Sequence, residues 1–238
     1  MKLLFFIWLN ILSITYSGVT LTGTRIIFNE GKKEKTIYFQ SKSKIPSIVQ
    51  VWIDKGDENS TINSPDQSFV ITPKIFKMIE YTGQSVRLIF LDTDKIPLNK
   101  ESLFFLNFME IPMIKESSLK NSHLYILFKN RVKIFYRPKE LIGNSDESIN
   151  SLIFKIEKNN DKYLLVVNNP SNYYINFNKI EVGNQDSFIF VNDHKMISPQ
   201  SSEKWIIDFT INKISEVRFS TINDYGAVVN HVKRISEK

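Results

Sequence analysis

The chain contains no cysteine, which removes at once a disulfide framework, a thiol nucleophile and any thiolate metal site. Alanine is almost absent too, with Ala227 the single example, whereas Ile, Phe, Tyr, Val and Thr are plentiful. Strand formers therefore outweigh helix formers. An AT-rich genome would favour Ile, Lys, Asn and Phe codons whatever the fold, so periodicity has to carry the assignment. No glycine-rich phosphate loop, nucleophile elbow or zinc spacing occurs. His123, His194 and His231 are far apart in sequence, each without a ligand-spaced partner, and read as surface or strand-edge residues. Asp92 and Asp94 form an Asp-x-Asp pair without further acidic residues beside them and read as a polar turn. No catalytic residue, metal or cofactor is expected.

Long apolar runs are also lacking, save one. Lys2 precedes an apolar run from Leu3 to Ile14, broken by Asn10 and Ser13 and followed by small residues at Ser17 and Gly18. A bilayer needs about 20 apolar residues, so this run reads as a secretory signal peptide over 1–17. Thr15 and Ser17 form the small pair before cleavage, and cleavage after Gly18 is an alternative. The rest should be exported and soluble, with no stable membrane insertion. Without Lys2 its net charge is about +5, spread thinly apart from clusters at 32–35 and 129–133, which argues against a nucleic-acid partner. The Asn59-Ser60-Thr61 sequon would matter only in a eukaryotic secretory pathway. A secreted chain without disulfides depends on its core, and two domains of about 100 residues can bury enough surface.

Short runs separated by turn residues recur at 36–40, 48–53, 68–72, 86–91, 103–109 and 123–136, many alternating apolar with polar, as half-buried strands must. The segment 76–80 is either a helical turn after Pro73 or a further strand. The second half repeats the style at 152–157, 163–168, 173–180, 187–191, 204–209 and 217–222. About seven strands per hundred residues implies an immunoglobulin-like sandwich. Between the halves, Tyr136-Arg137-Pro138 ends the long strand and Gly143 closes the connection, placing a boundary near Pro138, with domains over 18–137 and 138–238. The fold expected is all-β, two immunoglobulin-like β-sandwiches.

Two segments are more specific. Ile96-Pro97-Leu98-Asn99-Lys100-Glu101-Ser102, the aromatic Phe105, Asn107 and the closing Ile111-Pro112 resemble the signature of the periplasmic pilus chaperones of the chaperone-usher pathway, with Phe108 in place of the usual aliphatic residue. The stretch from Leu124 to Pro138, ending Phe135-Tyr136-Arg137-Pro138, looks like the last strand of that family's first domain. Further matches are Thr24 to Phe28, Gln50-Val51-Trp52-Ile53, Asn168-Asn169-Pro170, Tyr173-Tyr174, Ser198-Pro199 and Ile222 to Ala227. Some family members carry a disulfide in the second domain, which this chain has no cysteine to form.

The resemblance implies a chaperone that binds pilus subunits, folds and caps them by donor-strand complementation, and delivers them to an outer-membrane usher. It implies that the two sandwiches are set at an angle with a cleft between them, that Arg25 and Lys133 bind the subunit's C-terminal carboxylate in that cleft, that Leu124, Ile126 and Phe128 enter the subunit's groove, and that Glu101, Arg137 and Asp224 bridge the two domains with ion pairs. Periodicity agrees in part. Leu124, Ile126 and Phe128 alternate on one face while Lys129, Arg131 and Lys133 take the other, although alternation alone would equally place the apolar three in the chain's own core. The short connection between 112 and 123 resembles the subfamily that builds rod-like pili. The competing readings are a secreted two-domain adhesin or carbohydrate-binding sandwich, which explains export and aromatic content but not the basic pair, and a secreted hydrolase, for which no acid-base pair is present.

Overall fold

The computed structural model describes residues 18–91, 96–113, 124, 126–159, 162–192, 194–207 and 214–235. In chain order the first half contains β1 (Val19–Leu21), β2 (Arg25–Asn29), β3 (Glu34–Ser41), β4 (Ser47–Asp54), β5 (Phe69–Thr72), β6 (Ile75–Met78), β7 (Gly83–Phe90), β8 (Ser102–Pro112) and β9 (Lys129–Arg137). A short helix α1 (Ser145–Ser148) and a 3-10 turn follow. The second half contains β10 (Ile153–Asn159), β11 (Lys162–Asn169), β12 (Phe177–Gly183), β13 (Phe188–Phe190), β14 (Ser201–Ile207), β15 (Glu216–Ile222) and β16 (Val228–Arg234).

Alternation along the strands explains the layers. In β8 the side chains of Phe104, Leu106 and Phe108 are buried, while Leu103, Phe105 and Met109 on the other face are partly exposed. Burying each such Phe or Leu contributes roughly 1.5–3 kcal/mol. The inward rows of a sheet ordered β2-β9-β8-β4-β6 meet those of a sheet ordered β1-β3-β7-β5, and one cluster including Phe28, Phe39, Val51, Leu88, Leu106 and Ile134 fills the space between them. The second half repeats the plan with β10-β11-β14 against β13-β12-β15-β16, around a separate cluster including Leu152, Leu165, Val182, Trp205 and Val217. The expected architecture, two immunoglobulin-like sandwiches, is what the chain forms.

Several details differ from the periodic reading. The run 123–136 becomes a strand only at Lys129: Leu124 and residues 126–128 belong to no strand, and His123 and Tyr125 lie outside the described residues. Of the two readings of 76–80 the further strand holds for residues 76–78, which belong to β6 after a cis Thr72–Pro73 bond, while 79 and 80 lie beyond the strand. The run 173–180 becomes a strand only at Phe177, and its pairing with β15 shifts register between Phe177 and Lys179 before continuing. The polar stretch after Gly143 contains α1, where the Asn144 side chain accepts a hydrogen bond from the Glu147 N–H at 2.8 Å and Asp146 and Glu147 occupy the first turn, a favourable N-terminus. Periodicity passed over β16, which pairs with β15 along its whole length. Asp92 and Asp94 lie outside the described residues. Among the described residues no helix is long and apolar enough to cross a membrane.

Candidate functional site between the two sandwiches

The cleft is built from the parallel pair β2 and β9, which places Arg25 beside Lys133 as Cα partners and Asn29 beside Arg137. One strand thus carries Lys133 and Arg137 along its length, and its neighbour supplies Arg25. From the second sandwich the turn between β15 and β16 approaches the same place. Gly226 in that turn has φ +83°, and a side-chain carbon built there would stand 2.5 Å from the Thr24 hydroxyl. Only glycine allows both the backbone conformation and the close approach.

Arg137 is the centre of the ionic bridge. Its Nε donates to Glu101 Oε1 at 2.7 Å, while Nη1 and Nη2 donate to Asp224 Oδ2 and Oδ1 at 2.5 and 2.7 Å. The other Glu101 oxygen accepts from the Tyr174 N–H at 2.8 Å, and the Glu101 N–H donates to the Asn172 carbonyl at 2.9 Å. The three residues therefore do come together, and Glu101 ties the first sandwich to the second through backbone as well as charge. Burial raises the Glu101 pKa despite Arg137. Burial also acts against the Asp224 anion, but hydrogen bonds and charge from Arg137 overcome it and hold this carboxyl below its usual range. In Arg137 itself burial opposes the charge, and the two acids prevail, holding the guanidinium more firmly protonated than usual.

Among the described residues Arg25 and Lys133 have no carboxylate as a direct partner, although the charges of Asp224 and Glu101 are felt at Arg25 and partly offset its burial. Arg25 Nη1 donates to the Ile222 carbonyl at 2.8 Å and Lys133 Nζ to Asn176 Oδ1 at 2.7 Å, both acceptors neutral. Among the described residues neither cation has a carboxylate within ion-pair distance, and Arg25 Nε is buried without a hydrogen-bond partner. Burial lowers the pKa of both, with Arg25 adding to the effect at Lys133. The cleft is lined by Arg25, Glu101, Phe135, Asn176, Ile222 and Asp224 among others, and Lys133 stands beside Arg25 on the neighbouring strand, so two half-buried cations adjoin without a direct carboxylate partner, Arg25 being only partly offset by Asp224 and Glu101. An anion bound there would relieve their repulsion and accept charge-assisted hydrogen bonds. Asn176 and the Ile222 carbonyl were not among the sequence-derived site residues. They lie 43 and 197 positions from the cations they meet, and a main-chain carbonyl leaves no mark in a sequence.

Leu124, Ile126 and Phe128 are 86%, 65% and 72% exposed, so they do not fill the chain's own core. Immediately after them β9 is pinned by a second polar cluster that sequence reasoning missed. Asp54, at the end of β4, accepts from Arg131 Nη2 at 2.5 Å, Asn107 Nδ2 at 2.6 Å, Ser60 Oγ at 3.1 Å and the Gly56 N–H at 2.7 Å. Burial would raise this carboxyl, but these donors win and lower its pKa. The Arg131 guanidinium also stacks 3.7 Å over the Phe105 ring.

Comparison with known proteins places this geometry. Residues 18–142 match the family described as "Pili and flagellar-assembly chaperone, PapD N-terminal domain", and residues 147–233 match "Pili assembly chaperone PapD, C-terminal domain". The chain is 31% identical over 224 residues to the chaperone protein FimB/FhaD of Bordetella pertussis, covering 93% of this chain and 89% of that one. It is 32% identical over 210 residues to the chaperone protein LpfB of Salmonella typhimurium, covering 88% and 85%. The crystal structure of the YadV chaperone superposes with a TM-score of 0.77 at 28% identity, covering 92% of this chain and 100% of that one. Two domain matches in order, on two sandwiches whose cleft gathers Arg25, Lys133 and the Glu101–Arg137–Asp224 bridge, establish that this chain belongs to the PapD-like family of pilus-assembly chaperones.

Proposed function

We propose that the protein is a periplasmic chaperone that captures pilus subunits by donor-strand complementation and passes them to an outer-membrane usher. Residues 1–17 act as the export signal, cleaved after Ser17, and the two functional units are 18–137 and 138–238. It performs no chemistry on its partner. A pilus subunit is an immunoglobulin-like fold missing its last strand, so it exposes an apolar groove and an unpaired sheet edge that would otherwise aggregate. The chaperone answers both defects: its backbone from Leu124 onward extends β9 along the open edge, and Leu124, Ile126 and Phe128 fill the groove.

One observation carries this reading: exposed apolar side chains immediately precede β9, a strand that leads into a cleft where two cations hydrogen-bond to neutral oxygens and, among the described residues, have no carboxylate as a direct partner. The subunit's C-terminal carboxylate is the anion, bound by Arg25 and Lys133. Fixing that terminus sets the register, because a one-residue slip would turn every side chain to the wrong face. The short connection before Leu124 suits subunits of rod-like pili. Residues 114–123 lie outside the described part of the chain, so support for this last point comes from sequence length alone. The test is co-expression with a pilin from the same gene neighbourhood. Soluble pilin should accumulate only when the chaperone is present and should co-purify with it one to one; pilin yield independent of the chaperone would overturn the proposal.

A further inference from the structure

One end of the first sandwich holds a carboxylate with no side-chain cation. Glu110 lies on the inward face of β8, in line with the buried Phe104, Leu106 and Phe108. Among the described residues no lysine, arginine or histidine comes within ion-pair distance of it. Its Oε2 accepts a hydrogen bond from the main-chain N–H of Val19 at 2.8 Å. Val19 opens β1, a strand of the opposite sheet, so this contact crosses the sandwich.

The carboxylate also lies against the residue before. A side-chain carbon built on Gly18 would stand 2.2 Å from Glu110 Oε2 and 3.2 Å from its Cδ. With ordinary bond lengths, the Gly18 nitrogen is then within about 5 Å of the carboxylate. The Gly18 carbonyl accepts from the Lys42 N–H at 3.3 Å, which holds this residue to the edge of β3 on its other side. Ser47 stands on the same inward row of β4, two residues before Val49, the Cα partner of Glu110. Its hydroxyl is buried without a hydrogen-bond partner, a further acceptor at this end of the sandwich. A half-buried carboxylate facing inward without a cation is unfavourable, and in the uncut chain the nearest main-chain group is a neutral peptide N–H.

We propose that the ammonium created at Gly18 by removal of residues 1–17 pairs with Glu110 and staples β1 onto β8, so that the first sandwich closes fully only after processing. This rests on reading residues 1–17 as a cleaved leader. The staple lies where it affects function. Pairing of β8 with β9 ends at Met109 opposite Lys129, so Glu110 belongs to the stretch of β8 that β9 leaves uncovered and from which the chain departs towards the donor segment.

The test is a thermodynamic cycle on the exported protein. Intact mass first identifies the N-terminus: retention of residues 1–17 overturns the leader reading, a start at Val19 overturns the proposal because Gly18 is then absent, and a start at Gly18 leaves the pairing alone on trial. The α-amino group is then selectively acetylated in the wild type and in Glu110→Gln, an isosteric change that still accepts the Val19 hydrogen bond. Acetylation should lower the wild-type melting midpoint by about 2–4 °C and leave that of Glu110→Gln unchanged. A wild-type chain made with one extra glycine ahead of Gly18, which moves the charge outward by about 3.5 Å, should melt like the acetylated protein. Equal shifts in wild type and Glu110→Gln, or no shift in either, would overturn the pairing, and the extra-glycine chain decides the case if Glu110→Gln does not fold.

Discussion

Arg25 and Lys133 are direct neighbours across the parallel β2–β9 pair, and each spends a hydrogen bond on a neutral oxygen of the second sandwich, Arg25 on the Ile222 carbonyl and Lys133 on Asn176 Oδ1. Two like charges side by side without a direct carboxylate partner contribute little to the free protein. Their placement makes sense for a ligand that brings its own negative charge.

Arg25→Ala and Lys133→Ala should therefore each abolish subunit protection while costing the free chaperone little, about 0.5–1.5 kcal/mol for one lost hydrogen bond. Co-purified pilin should fall at least about tenfold, the ratio that corresponds to about 1.4 kcal/mol of lost binding. Either variant protecting pilin at wild-type yield would remove that residue from the anchor.

Ile126→Glu separates binding from folding. Because Ile126 is 65% exposed in the free chain, the substitution should leave its thermal melt unchanged, as surface changes stay within about 0.5 kcal/mol. Capture should be lost, since an unpaired carboxylate would have to enter an apolar groove. A melt lowered by many degrees would show instead that the side chain packs into the chaperone.

How far the sequence could be read depended on where the information lay. Alternation put Leu124, Ile126 and Phe128 on one face but could not give their state: a strand needs a neighbour, and pairing with β8 ends at Lys129, so Leu124 and residues 126–128 belong to no strand in the free chain. The strand β16 escaped because Val228-Val229 and the largely exposed run after it do not alternate, which is how an edge strand reads. Helix α1 escaped because four polar residues show no apolar period. Motif resemblance named Glu101, Arg137 and Asp224, yet the Asp54–Arg131 cluster, brought together from β4, β8 and β9, has no local pattern to betray it.

That cluster yields its own prediction. Asp54→Ala leaves the Arg131 guanidinium, whose side chain is 20% exposed, with only the exposed Glu58 at 3.4 Å and takes the Asp54 oxygen from the Asn107 amide, at an expected cost of about 2–4 kcal/mol. Urea unfolding of the first sandwich, followed through the buried Trp52 whose indole N–H donates to Ser60, would measure it. A loss below about 1 kcal/mol would mean that water replaces Asp54 without difficulty.

The ionic bridge should respond to acid through Asp224 and not through Glu101, because the two carboxyls are shifted in opposite directions. The Asp224 pKa is lowered in the folded chain, so its contribution is present above the ordinary aspartate value of about 3.9 and is lost as pH falls through the lower folded value. The Glu101 pKa is raised by burial, so its ionisation disfavours folding. Stability from this group is full below the ordinary glutamate value of about 4.3 and declines as pH rises from there through the raised folded value. Denaturant melts at intervals between about pH 3 and about pH 7 distinguish them. Asp224→Asn should be destabilised at neutral pH and should flatten the acid limb of the stability curve. Glu101→Gln, whose single amide oxygen can accept from only one of Arg137 and the Tyr174 N–H, should be less stable at every pH but should keep that acid limb and lose the decline above about pH 4.3. An acid limb unchanged in Asp224→Asn but flattened in Glu101→Gln would reverse the assignment and make Glu101 the carboxylate on which the bridge depends.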